Sequence, residues 1–271
     1  MIKFFRKIRQ NLISEGKTTK YFKYAIGEIF LVVIGILIAL QINNWNEDLK
    51  NSKQEQEILT QLVAEYQSNY EQIETKIGLR NNMITSCIKV LNYMHNRPEN
   101  LSVDSVDYHI SQIILRPTFD PQLGVSNELI YSGKLYLIRN SKLRNRISSY
   151  SSFLEELKEE EQALFNITED QILPFLVEHY QIGGLITNYL FDDELRSKVV
   201  IGEQLSDFSE IKEYLNKKAD FNELLGHPDF EDNIMRVLSS IPYTNEQSIG
   251  VKDKTAEIIQ LIKSAKTTTN D

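Results

Sequence analysis

Residues 25–42, AIGEIFLVVIGILIALQI, form the one run in the chain where apolar side chains follow each other with almost no polar break. The charge-free core at 29–42 is 14 residues, about 21 Å of helix at ~1.5 Å per residue. A hydrocarbon slab is about 30 Å thick and asks for roughly 20 residues. The flanks therefore complete the span, with Tyr21 and Tyr24 at one edge and Trp45 at the other as aromatic anchors. The pattern predicts a transmembrane helix over 25–45. Within it Glu28 falls about 6 Å inside one boundary, a depth at which an acid is costly. Either it snorkels or pairs with Lys20 or Lys23, or it meets a polar group on a second helix; the first reading stands ahead. Gly27, Gly35 and Ala39 share a stripe beside it, and Gly35-x-x-x-Ala39 is a small-x-x-x-small pattern. With Glu28 they form the candidate helix–helix interface.

Past Trp45 the apolar positions keep a 3–4 rhythm. Leu59, Val63, Tyr66, Tyr70, Ile73, Ile77, Ile84, Cys87, Leu91 and Met94 lie on one seam, with Arg80 as its only interruption. The spacing predicts that the membrane helix continues as a long amphipathic helix until Arg97-Pro98 stops it. The long helix reads as a member of a bundle ahead of a coiled-coil stalk, because later helices need a partner face.

Asp104 is placed to cap a helix carrying Val106, Ile110, Ile113 and Ile114. Residues 116–124, RPTFDPQLG, are the clearest loop, and Ser126 is placed to cap a short helix ended by Gly133. A second long amphipathic run starts near Ser141 and reaches Leu176, with a kink expected at Pro174. Its acids, Glu155, Glu156 and 159–161, read as a solvated face. Gly183-Gly184 is expected to end this unit. Further helices are expected over 209–216, 230–240 and 251–265, and a disordered tail over 266–271. The expected fold is all-α. One N-terminal transmembrane helix continues into a long amphipathic helix, with an antiparallel helical-bundle extracytoplasmic domain over 46–265.

Charge sets the expected orientation. The first 24 residues hold seven Lys/Arg against Glu15 alone, and the whole chain carries −8. With +6 at the front and −1 from Glu28, residues 43–271 carry −13. A basic flank beside the first span predicts the N-terminus in the cytoplasm and the acidic bulk outside. In a double-membraned bacterium that is a protein of the inner membrane with a periplasmic domain. Ile2, Phe5, Ile8 and Leu12 alternate with Lys3, Arg6, Lys7 and Arg9, the pattern of a basic amphipathic helix lying on an anionic leaflet. No A-x-A site follows the apolar run, so it reads as an uncleaved signal anchor.

The candidate chemistry is sparse. Cys87 is the single cysteine and lies on the apolar seam, so it reads as a core residue. His95, His109, His179 and His227 are scattered, without metal-ligand spacing, and His227 reads as a helix-end residue. Walker, dinucleotide and nucleophile-elbow motifs are absent. The acidic balance speaks against nucleic acid. Arg139, Lys142, Arg144 and Arg146 form one basic cluster, read as a solvated face ahead of an anion or lipid-headgroup site. No catalytic residue, cofactor or metal is expected; the expected partners are membrane lipid and a second copy or another membrane protein.

The N-terminal sequence, above all GEIFLVVIGILIALQINNWNE, resembles a bacterial membrane-anchored family catalogued as domain of unknown function 6090. The phrases ELIYSGKLYLIRNSKLRNRISSY and FNELLGHPDFEDNIMRVLSS are similar to its weaker landmarks. The resemblance implies an inner-membrane anchor with a helical outer domain, and it carries no established activity. Three function classes follow, in order: a non-catalytic interaction or membrane-assembly scaffold, a ligand-sensing outer domain acting through a membrane partner, and an enzyme with a dispersed carboxylate site.

Overall fold

The structure, a computed structural model, describes residues 18–199, 206–215 and 220–267. The expected basic helix in the first 13 residues, the side chains of Tyr21 and Tyr24, and the tail at 268–271 lie outside the described residues. All regular structure among the described residues is helical. Helix α1 (Thr18–His95) runs 78 residues and stops before Pro98, as the seam requires. It belongs to two compact units, Met1–Ile58 and Leu59–Asp271.

In the first unit no residue of the apolar window in this helix is buried. Gly27, Gly35 and Ala39 are exposed, and Trp45 is 65% exposed.

The second unit is built around the rest of α1, α4 (Ser141–Ile167) and α10 (Pro228–Thr267). Bonded pairs fix their directions. Thr60 meets Lys266, Arg80 meets Ser248, and His95 meets Glu231, so α1 and α10 are antiparallel. Tyr66 packs edge-on against Tyr150 while Arg80 pairs with Glu161, so α1 and α4 run parallel. Between them lie α2 (Val103–Ile113), α3 (Gly124–Tyr131), and a 3-10 turn at Lys134–Leu137. After α4 come α5 (Leu173–His179), α6 (Gly183–Leu190), α7 (Asp193–Val199), α8 (Lys212–Leu215) and α9 (Phe221–Leu225). From Leu59 onward the seam of α1 is a bundle face. Leu79, Met83, Cys87 and Val90 meet Ile110, Leu176, Phe230 and Ile234 in one apolar core. Burial pushes the Cys87 thiol up to about 12, as suits a core residue.

Several elements differ from expectation, each for a local reason. Helix α10 is one helix of 40 residues, where the sequence suggests two. Its interior Pro242 is solvent-exposed, and the helix runs through it although its missing N–H leaves one intrahelical bond unmade. Ser102, not Asp104, caps α2, accepting from Ser105 N–H at 3.2 Å. Ser126 lies inside α3, whose first amides donate to Glu65 of α1 instead. Pro174 follows a π turn at Thr168–Ile172, the widened geometry that accommodates a missing N–H. Lys266 belongs to α10 rather than to a loose tail. Gly133, at φ 69°, ends its helix in the left-handed conformation expected of it.

Gly183-Gly184 begins α6 rather than ending a unit. A side chain at Gly184 would overlap the Asp107 carboxylate of α2, so glycine is there for close approach. Tyr180 donates to Asp107 Oδ1 at 2.5 Å in the same contact. Burial holds the Asp107 carboxyl above its ordinary range, against the pull of the Tyr180 bond. A raised carboxyl contributes stability that is full below the unfolded value, ~3.9, and is lost as pH rises through the folded value. Asp107→Asn is neutral throughout, so wild-type stability should fall relative to this variant across that window. Denaturant midpoints of the two chains, compared from below the unfolded value of about 3.9 upward, check the sign.

Candidate functional site

Residues 116–123 cannot be helical, since Pro117 and Pro121 lack donors and restrict the residues before them. Pro117 and Phe119 are nonetheless buried, so the backbone groups of this loop need partners. Helix α1 supplies them from one stripe. Asn69 accepts from Gln122 N–H and donates to its carbonyl, both at 2.7 Å. Gln72 accepts from Asp120 N–H at 2.9 Å, and Glu65 takes the amides of Val125 and Ser126 at 2.6 and 3.1 Å. Arg80 donates to the Pro117 carbonyl at 3.1 Å. Positions 65, 69, 72, 76 and 80 recur at helical spacing, and the loop runs antiparallel along them.

The centre of this clamp is Arg80. Its side chain is fully buried and pairs with Glu161 of α4, and it donates to Ser248 Oγ of α10 at 2.6 Å. Glu161 also receives Phe119 N–H at 3.1 and 3.0 Å on its two oxygens. One guanidinium therefore joins three helices and a loop. Burial drives the Glu161 carboxyl up, while Arg80 and the Phe119 amide pull it down. Beside them, burial lowers the Lys76 amine, and Asp120 and Glu161 oppose the shift. Among the described residues, Arg80 Nε and Asn245 Oδ1 are buried without a hydrogen-bond partner.

The acid run of α4 is thus split: Glu155, Glu156 and Glu159 are exposed, and Glu161 is buried. Sequence reasoning missed Glu161 because it ends a run that looks solvated. The available signal was Arg80 itself, a cation on an apolar seam that requires an anion opposite.

A cavity of about 410 Å³ lies against the clamp. Phe119, Leu123, Leu154 and Phe165 line it, with Asp120 and Glu161 among its polar groups. The histidines are partly gathered: His179 and His227 stand 4.8 Å apart between ring centres, both against Phe175. His227 Nδ1 accepts from Asp229 N–H at 3.2 Å, so this helix-end residue serves the start of α10. Among the described residues no group of three or more His, Cys, Asp or Glu could hold a metal ion. The basic cluster is less solvated than expected. Arg144 donates to the carbonyls of Ile138 and Arg139, and Lys142 and Arg146 both reach Glu257.

The span residues Gly27, Glu28, Gly35 and Ala39 remain apart from this site along the sequence. An added Cβ at Gly27 or Gly35 would meet nothing within 4 Å.

Among the described residues, these features define an all-helical protein with one helix long and apolar enough to cross a membrane, and a helical unit closed on an internal ion pair. The model of a family of unknown function, DUF6090, matches residues 28–156 and bears out the resemblance read from the sequence. The match takes in most of the 25–45 run, the clamp stripe and the loop, and it ends before Glu161 and the 221–240 phrase. No curated protein and no solved structure matches the chain.

Removing one partner of a buried, hydrogen-bonded ion pair costs about 3–5 kcal/mol. Arg80→Met should therefore destabilise the helical unit by about that amount, read by chemical denaturation. Glu161→Gln still accepts from Phe119 N–H and should cost less than Glu161→Leu. Equal losses for the two Glu161 variants would show that the loop does not depend on this carboxyl.

Proposed function

We propose that the chain is a single-pass anchored protein of a bacterial inner membrane, with its N-terminus cytoplasmic and its helical unit periplasmic. Its role in this reading is a non-catalytic interaction or membrane-assembly scaffold. The observation that carries it is the apolar window at the start of α1, none of whose residues is buried. So large an apolar surface requires a hydrocarbon or protein environment. The helical unit spends its strongest buried charges on internal bonds, a use that fits a presented surface better than catalysis. The cavity beside Glu161 supports a second reading, a ligand-sensing unit acting through a membrane partner. A small molecule retained through purification would favour it.

The basic flank of the first 24 residues sets the expected orientation. A reporter fused at Asp271 that works only outside the cytoplasm should be active, and one that works only inside should be silent. The opposite pattern reverses the orientation.

In the membrane, Gly27, Glu28, Gly35 and Ala39 are the proposed face for a second helix, with Tyr21, Tyr24 and Trp45 at its edges. Polar contacts between membrane helices contribute about 1–2 kcal/mol. Glu28→Leu should weaken self-association of a 15–50 segment in a bilayer by that amount, and Glu28→Gln by less. Gly35→Leu should disrupt it by bulk. Unchanged association in all three variants would remove the interface.

A further inference from the structure

The helical unit is electrically polar along its length. The end at Leu59 comprises residues 59–66, 124–150 and 255–267, brought level by the Tyr66–Tyr150 contact and the Thr60–Lys266 bond. These residues hold seven Lys/Arg against three Glu, a net of +4. The end at His95 comprises residues 81–111, 165–199, 206–215 and 220–245. The bonds His95–Glu231, Arg97–Asn222, Tyr180–Asp107 and Gln171–Arg236 gather it. It holds six Lys/Arg against seventeen Asp/Glu, a net of −11. A unit that is acidic overall therefore concentrates its positive charge at one end.

That end also exposes aromatic surface. Tyr131 is 84% and Tyr136 69% exposed, on α3 and the 3-10 turn after it, with Lys134, Arg139 and Lys142 exposed alongside. Tyrosine beside lysine and arginine is the composition that settles at a lipid–water boundary, where the ring meets the interface and the cation meets phosphate. The chain connects this end to the span: Leu59 is 14 residues past Trp45, all within helix α1, a connection of about 21 Å at ~1.5 Å per residue. Tethering at that range raises the local concentration of headgroups, so a weak contact is populated.

We infer that the Leu59 end of the helical unit docks on the anionic phospholipid headgroups of the membrane that holds the span. Tyr131, Tyr136, Lys134 and Arg139 make the contact, and the acidic His95 end faces away. The inference rests on the anchored reading. It holds for either orientation, since any anionic leaflet supplies the same phosphate.

The test uses the full chain in lipid nanodiscs, comparing phosphatidylcholine alone with a mixture about one third phosphatidylglycerol, with amide hydrogen exchange as the readout. Exchange over 128–146 should slow at least about threefold in the anionic discs, and the slowing should vanish between about 0.05 and 0.5 M salt. Exchange over 206–231 should not change. Lys134→Glu with Arg139→Glu should abolish the slowing while leaving the helical spectrum intact. If 128–146 exchanges equally in both lipids, docking on anionic headgroups is wrong. Slowing that survives the double substitution, or that appears in neutral discs too, instead assigns the surface to a protein contact. A chain that fails to enter either disc overturns the anchored reading itself.

Discussion

The helical unit depends on a single guanidinium. Arg80 is buried in the middle of an apolar seam, where an unpaired charge would be prohibitively costly. Every arrangement around it serves to compensate that charge: Glu161 from α4, Ser248 from α10 and the Pro117 carbonyl. A well-packed apolar trio of the same volume could hold three helices together with at least equal strength. What the charge adds is a requirement on position, because only one register brings carboxylate, hydroxyl and carbonyl within reach together. Whether that register serves function as well as folding turns on the loop it fixes.

That loop is an irregular segment kept near the core without any sheet to pair with. Helix α1 substitutes for a neighbouring strand by presenting Asn69, Gln72 and Glu65 to successive backbone groups. The Asn69–Gln122 pair is a two-bond exchange like the one between antiparallel strands. The cavity beside Glu161 is lined by this loop at Phe119, Asp120 and Leu123 and by α4 at Leu154 and Phe165. Loop position, buried charge and cavity are thus one connected arrangement.

Much of this was legible from residue spacing. The seam on α1, its end before Pro98, the all-helical architecture and the Gly133 stop follow from period and capping chemistry. The clamp stripe did not stand out, because Glu65, Asn69 and Gln72 at helical spacing look like any solvated face. Only their partners, some 50 to 60 residues later, show that they hold a loop, with Glu65 and Asn69 buried. The sequence suggests two helices over 230–240 and 251–265, and the structure joins them in α10 with Pro242 in its interior. Gly183-Gly184 looked like a terminator, and the structure uses Gly184 for nearness to Asp107. In each case local sequence described the residue correctly and tertiary packing decided its use.

The pairing of α1 with α10 has a consequence for how the chain is made. Thr60 and Lys266 are 206 positions apart, Arg80 and Ser248 are 168, and no nearer helix supplies these bonds. At about 5–20 residues per second, roughly 10–30 s separate the synthesis of Arg80 from that of its last partner. Through that interval the Arg80 charge lacks its Ser248 partner, and the part of the seam that α10 covers stays open. The fold closes late and from its C-terminus. Loss of the final helix by premature termination would therefore strand residues near the opposite end of the chain, not merely shorten the tail.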